Sequence, residues 1–345
     1  MHGPDSAARD VLRLWVKKGH TRIEPSADGT RLDRYLACRF TYRSRTQWRK
    51  LIRAGCITVN DACVRPSRVL RQGDAINYIP FPREEPPIDR RTQILFLDAH
   101  LVGVAKSGNV PIHPSGRYFR HTLLHILATE HPEWGNLRVV HRLDRETSGI
   151  VIFGRDREAT EHLAVQFRRR EVQKRYLALV EGRPPKARFV IDRPLGKAKG
   201  SRIRKAVGIQ EDGISAHTDV RVLHQGDGWA WVEARPRTGR LHQIRVHLQS
   251  AGLPILGDKV YGRDERFFLK FINNEPLTPE ESALLGLPRQ ALHAYQLVIR
   301  HPASGERLSL TAPLPEDMAQ ALLERGLDPA PWQQRGDMPG DDMTG

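Results

Sequence analysis

A chain of 345 residues is longer than one domain usually holds, so two domains with flanking tails are expected. Hydrophobic residues make up 39% and charged ones 28%, and no apolar run nears the roughly 18 residues that a bilayer requires; a membrane span is not expected. The net charge of +15 and pI of about 10.2 call for a polyanionic partner, most often nucleic acid. Cys38, Cys56 and Cys63, odd in number and without C-x-x-C spacing, suit a reducing, cytoplasmic compartment, as small buried hydrophobes and not zinc ligands.

Residues 1–20 carry Asp5 and Asp10 and no apolar centre, which argues against a secretory signal; they read as an extension without assigned function. Residues 21–80 form the first module. Thr21 to Glu24 is a short strand before the Ser26–Gly29 turn, and Leu32 to Phe40 an amphipathic helix with Leu32, Tyr35 and Leu36 on one face. Ser44 stands three residues before Gln47, a capping-box spacing, and Gly55 closes the helix they start. Trp48, Leu51 and Ile52 share one side of that helix, while Arg45, Arg49, Lys50 and Arg53 occupy the rest. Ile57 and Val59 then alternate into an Asn60-Asp61 turn, and Ile76 and Tyr78 follow Gly73-Asp74. Residues 31–80 hold eleven Arg or Lys against three Asp, an excess of eight, about half of the whole in about a seventh of the chain. In Arg31-Leu-Asp-Arg34, the Ser44–Gly55 helix and Gly73-Asp74 the module resembles the S4 RNA-binding domain, a small α/β fold. That implies RNA contact by Arg45, Arg49, Lys50 and Arg53. Such contacts with phosphate add affinity without choosing a base.

Residues 81–91 are proline-rich and charged and read as a linker. Ile94–Leu97 and Leu101–Ala105 are strand-like. Lys106-Ser-Gly-Asn109 follows, then Val110-Pro-Ile-His113-Pro114. His113 and His121 have no third ligand at useful spacing, so loop histidines and no metal are expected. The stretch Val139 to Phe153 organises the rest. Ile150–Phe153 is β-branched and aromatic, a buried strand, and Thr147-Ser148-Gly149 is a tight turn before it. Asp144 thus lies in a loop at a strand mouth, beside Arg142, Arg145 and His141. A carboxylate among guanidinium groups stays ionised, as a nucleophile, a binding anion or half of a structural ion pair.

The nine residues His141-Arg-Leu-Asp-Arg-Glu-Thr-Ser-Gly149 resemble the catalytic signature of the RluA family of RNA pseudouridine synthases. There the Asp of Arg-Leu-Asp is the nucleophile that turns a uridine around on its ribose. The family usually carries Lys-Pro-x-Gly where this chain has Lys106-Ser107-Gly108, and His113-Pro-Ser-Gly-Arg-Tyr118 is similar to a variant of some branches.

Asp156 caps a helix reaching about Arg169, with Ala159, Leu163 and Phe167 inward. The strand Lys174–Glu181 puts Tyr176, Ala178 and Val180 on one face. By composition Tyr176 is plain core; Lys-Arg-Tyr-Leu-Ala is also similar to the family's second motif, whose Tyr lies against the target base. Residues 192–213 read as a surface loop able to touch RNA, and Ala216–Leu223 and Gly228–Ala234 as strands. In Arg237-Thr-Gly-Arg-Leu-His-Gln-Ile-Arg-Val-His247, Leu241, Ile244 and Leu248 give an apolar helical face, with His242 and Arg245 neighbours at its edge. An Arg beside a buried stripe needs an anion, and Asp144 is the candidate. With Leu256-Gly-Asp-Lys-Val-Tyr-Gly262 this segment resembles the family's third motif. Gly252-x4-Gly257 suggests a phosphate loop, which Asp258-Lys259 rules out for want of Lys-Ser/Thr. Leu292–Ile299 is a further strand, and residues 326–345 a polar, disordered tail.

The resemblance implies an α+β protein. Its catalytic domain, residues 92–325, is a mixed, mainly antiparallel sheet flanked by helices. The implied activity is pseudouridine formation in structured RNA, ribosomal more than transfer RNA, by a monomer. Asp144 would be the nucleophile, held by Arg245, with Tyr176 stacked on the flipped base and helping to remove the C5 proton. Arg142 would fill the vacated space, and His141, Arg240, His242 and Lys106 would contact substrate. No cofactor is needed. The competing reading is a non-catalytic RNA-binding or ribosome-assembly protein that keeps the enzyme fold, against which Asp144, Tyr176 and Arg245 all stand intact.

Overall fold

The computed structural model describes residues 21–40, 44–78, 85–203, 205–273 and 275–333. The expected extension 1–20 and residues 334–345 of the expected tail lie outside these. The chain divides into two compact units, Met1–Pro86 and Pro87–Gly345.

In the first unit β1 (Thr21–Arg22), α1 (Leu32–Arg39), α2 (Arg45–Arg53), β2 (Ile57–Val59), β3 (Ala62–Cys63) and β4 (Ala75–Tyr78) follow in that order. The strands form an antiparallel sheet in the order β1-β4-β2-β3. The capping box forms: Gln47 N donates to Ser44 Oγ at 3.3 Å and Ser44 N to Gln47 Oε1 at 2.9 Å. Asn60 and Asp61, with φ of 52° and 63°, take the left-handed backbone that a two-residue hairpin turn demands and that Asn and Asp tolerate. Trp48 and Ile52 of α2 close over Leu32, Leu36, Ile57 and Ile76. Asp33 is fully buried and paired with Arg31 at 3.2 Å and Arg45 at 2.9 Å. Arg45, expected to face RNA, therefore already holds an internal anion, whereas Arg49, Lys50 and Arg53 are exposed. The cysteines correct an expectation: only Cys56 is buried. Cys38 lies on the outer face of α1, and Cys63 on β3, both of whose residues are exposed.

The second unit contains β5 (Thr92–Leu97), β6 (Leu101–Lys106), α3 (Leu123–Glu130), β7 (Arg138–Val139), β8 (Ser148–Gly154), α4 (Arg157–Arg169), β9 (Gln173–Glu181) and β10 (Arg188–Asp192). There follow β11 (Leu195–Lys197), β12 (Val207–Ile209), β13 (His217–Gln225), β14 (Trp229–Pro236), α5 (Gln243–Ser250), α6 (Arg266–Asn273), α7 (Pro279–Leu285), β15 (Leu292–Arg300), β16 (Arg307–Thr311), α8 (Glu316–Leu323) and α9 (Ala330–Gln333). The main sheet runs β10-β13-β14-β9-β15-β8-β6-β5, with β16 added to β15 and β7 to β8. Its pairs are antiparallel except β15 with β8, so the sheet is mixed and mainly antiparallel. β8 is buried on both faces, which explains its unbroken apolar run. Val151 and Phe153 pack with Leu123, Ile126 and Leu127 of α3, while Ile150 and Ile152 pack with Leu163 of α4. At the parallel seam Gly149 has φ of 112°, and a Cβ there would lie 2.3 Å from the Ala294 carbonyl oxygen, so only glycine lets β8 start beside β15.

Three expectations need correction. Residues 87–91, read as linker, pack on the second unit: Ser107 Oγ donates to the Asp89 carbonyl at 2.6 Å, and Arg90 pairs with Glu130 at 3.2 Å. Residues 192–213 are not a plain loop but carry the β11–β12 ribbon, in which Gly196 faces Gly208 and Leu195, Ile203 and Ala206 are buried. Residues 326–333, read as disordered tail, end in α9, whose Trp332 is buried edge-to-face on Trp231 at 5.5 Å.

Candidate active site

Stretches far apart in sequence converge beside β8. The loop before it carries Asp144, β9 carries Tyr176, α5 carries Arg245, and the turn after Gly257 carries Asp258 and Tyr261. Arg245 Nη1 donates to Asp144 Oδ2 at 2.7 Å. Its Nε and Nη2 donate to Asp258 Oδ2 and Oδ1 at 2.7 and 2.8 Å. Asp258 Oδ1 also accepts from the backbone N–H of Val260 and of Tyr261, at 2.9 and 3.0 Å. One buried guanidinium thus bridges a fixed carboxylate and one that borders a cleft.

Burial raises the Asp144 carboxyl, but the charge and hydrogen bond of Arg245 outweigh it and hold it below the usual carboxylate range. Asp258 follows the same logic. Burial lowers Arg245, and the two carboxylates more than reverse this. Asp144 is therefore an anion at neutral pH with Oδ2 engaged and Oδ1 open. Tyr176 is half-buried in the same cleft. Burial and then the Asp144 charge push its phenol up, so it stays protonated.

His242 differs from its expected helical setting. It precedes α5 with a left-handed backbone, φ 55° and ψ 18°, a conformation costing about 1 kcal/mol or more for a non-glycine residue. Leu241 likewise is no part of an apolar helical face and is 44% exposed. The reason is Gln243, whose Oε1 accepts from Thr238 Oγ1 at 2.7 Å and Arg240 N at 3.0 Å, tying residues 238–242 into a turn. From there His242 Nδ1 lies 2.7 Å from the Tyr261 hydroxyl and Nε2 lies 3.7 Å from Asp144 Oδ1. Burial first, then Arg245, lowers its imidazole to about 4.

Asp144, Tyr176, His242 and Arg245 border a cleft of about 480 Å³, a size that suits a nucleoside. Arg142 is exposed at its rim, and Arg240 borders it with Nε on the Ser215 carbonyl at 3.1 Å. His141 lines it too, but its Nε2 accepts the Ile152 N–H at 3.0 Å and its ring stacks on Phe167 at 4.6 Å, so it braces the wall. Lys106 is a correction. It does not border this cleft; its buried Nζ donates to the Ser107 and Arg145 carbonyls, both at 2.9 Å, and anchors the loop behind the motif. Arg145 turns to Glu146 at 2.5 Å and Tyr118 OH at 2.6 Å, away from Asp144. Sequence reasoning missed Asp258, Tyr261, Gln243 and Lys174. Lys174 lines the cleft, and burial, then Arg170, brings its amine down to about 8. Among the described residues no group of three or more His, Cys, Asp and Glu could hold a metal ion, and no helix is long and apolar enough to cross a membrane.

The family described as RNA pseudouridylate synthase matches residues 100–250, and the S4 domain matches residues 30–76. Among solved structures, human RNA Pseudouridylate Synthase Domain Containing 4 is similar at a TM-score of 0.53 and 29% identity, covering 68% of this chain and 93% of that one. The class is therefore an RNA pseudouridine synthase. Ribosomal large subunit pseudouridine synthase D of Nitrosomonas europaea is 36% identical over 301 residues, 85% of this chain and 84% of that protein. Ribosomal large subunit pseudouridine synthase C of Pasteurella multocida is 33% identical over 311 residues, 87% and 91% of the two. The chain belongs to the RluA family of RNA pseudouridine synthases and carries an S4 domain at its N-terminal side.

Proposed function

We propose that this enzyme isomerises specific uridines of ribosomal RNA, with Asp144 as the nucleophile acting on a base flipped out of its stack. The single observation that carries the chemistry is the 2.7 Å pair between Arg245 and Asp144 at the wall of a cleft that also holds Tyr176. The relatives' names support ribosomal RNA of the large subunit.

Isomerisation breaks the N1–C1′ bond, turns the uracil and forms C5–C1′. C5 loses a proton and N1 gains one, so mass is conserved. A carboxylate is suited to this because it is ionised, weakly basic and able to leave again. Asp144 Oδ1 forms an ester with the nucleoside, at C6 of the ring or C1′ of the ribose, while Arg245 keeps Oδ2 and steadies the charge that returns when the ester breaks. Tyr176, as a protonated phenol, offers its ring as a stacking face. The uridine must leave its helix or loop to reach the cleft, and Arg142 on the rim fills the space it leaves. Arg49, Lys50 and Arg53 of the S4 domain add phosphate contacts without base choice.

The test is incubation of the full chain with transcripts of large-subunit ribosomal RNA and with transfer RNA, followed by pseudouridine mapping. Conversion at discrete ribosomal uridines is expected. Conversion confined to transfer RNA would overturn the ribosomal reading, and release of free uracil would overturn isomerisation.

A further inference from the structure

We infer that Tyr261 is a positioning residue for the nucleophile: its hydroxyl holds His242 in the tautomer that aims Nε2–H at Asp144 Oδ1, the carboxylate oxygen Arg245 leaves open. The inference rests on the assignment of Asp144 as nucleophile.

The hydrogen-bond inventory leads there from both ends. The Tyr261 oxygen accepts the Val207 N–H at 2.8 Å and lies 2.7 Å from His242 Nδ1. A phenol has one proton, and burial keeps it in place by pushing the Tyr261 hydroxyl up to about 12. Donating that proton to Nδ1 satisfies every group, and the neutral ring then carries its own proton on Nε2. At the other end Nε2 sits 3.7 Å from Asp144 Oδ1. A bare nitrogen lone pair facing a carboxylate oxygen is repulsive, whereas an N–H is attractive, so Asp144 selects the same tautomer. At 3.7 Å the N–H points at Oδ1 without closing on it, leaving that oxygen free to attack and a donor at hand when charge returns to it.

The framework is rigid where this requires it. The left-handed backbone of His242 swings the imidazole off the helix face. Tyr261 is anchored by its own N–H on Asp258 Oδ1 at 3.0 Å, and its ring covers the Arg245 guanidinium at 4.9 Å. The turn from Asp258 to Tyr261 therefore reaches both oxygens of the nucleophile, Oδ2 through Arg245 and Oδ1 through His242. Arg142, Arg245 and Asp258 are the other charges acting on His242, and none of them bonds its Nδ1.

The experiment compares Tyr261→Phe with wild type in the full chain. Phe keeps the ring over Arg245 and deletes the hydroxyl. Turnover in a single-turnover assay on a ribosomal RNA fragment is expected to fall about tenfold or more, as when a partner that orients a histidine is lost, with KM for RNA unchanged. Nitrogen NMR of the histidines should show the His242 Nε2–H form in wild type and a mixed or reversed tautomer in the variant. In a His242→Gln background, where an amide N–H replaces Nε2–H and has no tautomer, Tyr261→Phe should cost nothing further. An equal loss in both backgrounds, or an unchanged tautomer with full turnover, would overturn the inference. Asp144→Asn run alongside separates the two claims, because normal turnover there defeats the nucleophile assignment instead.

Discussion

Asp258→Asn probes how the nucleophile is held. Asp258 Oδ1 takes three donors, Arg245 Nη2 and the N–H groups of Val260 and Tyr261, and Oδ2 takes Arg245 Nε. Asparagine keeps the Oδ1 position but sets an NH2 against the Nε–H and removes a buried charge that offsets the guanidinium. Losing one partner of a buried pair costs about 3–5 kcal/mol. The variant retains three of the four hydrogen bonds, which places it near the low end, about 3 kcal/mol. At roughly 2–4 °C per kcal/mol for a unit of this size, Tm should drop by about 6–12 °C. Arg245, left with one carboxylate, turns its freed nitrogen on Asp144 and engages the oxygen that should attack, so kcat falls while KM for RNA holds. The assay pairs a thermal melt with release of tritium from RNA labelled at uridine C5. Wild-type Tm together with wild-type turnover would refute the reasoning.

Other outcomes follow from the same geometry. Arg49→Ala, Lys50→Ala and Arg53→Ala together should lower the slope of log affinity against log salt by about 2 to 3, at roughly 0.7–0.9 per phosphate contact, with the melt unchanged; an unaltered slope would remove α2 from the RNA footprint. Arg45→Ala should instead destabilise the S4 unit, because Asp33 is fully buried, and a melt of the first unit that does not move would contradict this. Lys106→Met should change stability and leave RNA affinity intact, since among the described residues its Nζ donates to the Ser107 and Arg145 carbonyls; a selective loss of affinity would return Lys106 to the substrate site. Asp144 and Asp258 both titrate below their ordinary 3.8. The stability they confer is present above that pH and is lost as pH falls through the lowered values. Acid unfolding below about pH 4 should thus be steeper in wild type than in Asp258→Asn, and identical acid curves would count against the pair.

Local signals were legible before the fold was known. The Ser44–Gln47 box, the Asn60-Asp61 turn and the doubly buried β8 follow from spacing and side-chain type alone, and Asp144 was the anion expected for Arg245. What escaped depends on long-range partners. Asp258 sits in a stretch that resembles the family's third motif and was weighed as a phosphate loop, but its bond to an arginine 13 residues away has no local signature. His242 and Leu241 fit a helical period, but the Gln243 side chain holds their backbone in a turn, so tertiary hydrogen bonding overrode the pattern. Trp332 lies in a proline- and glycine-rich stretch whose composition reads as disorder; its packing on Trp231 appears only once β14 is in place. Lys106 looked like a substrate cation, yet burial and two carbonyls make it a loop anchor.

The central claim is that the Asp144 carboxylate does the chemistry, and Asp144→Asn with a ribosomal RNA substrate tests it most directly. The account predicts that the variant binds RNA as wild type does and forms no pseudouridine even at enzyme excess over long incubation. Pseudouridine appearing at the wild-type rate would contradict it.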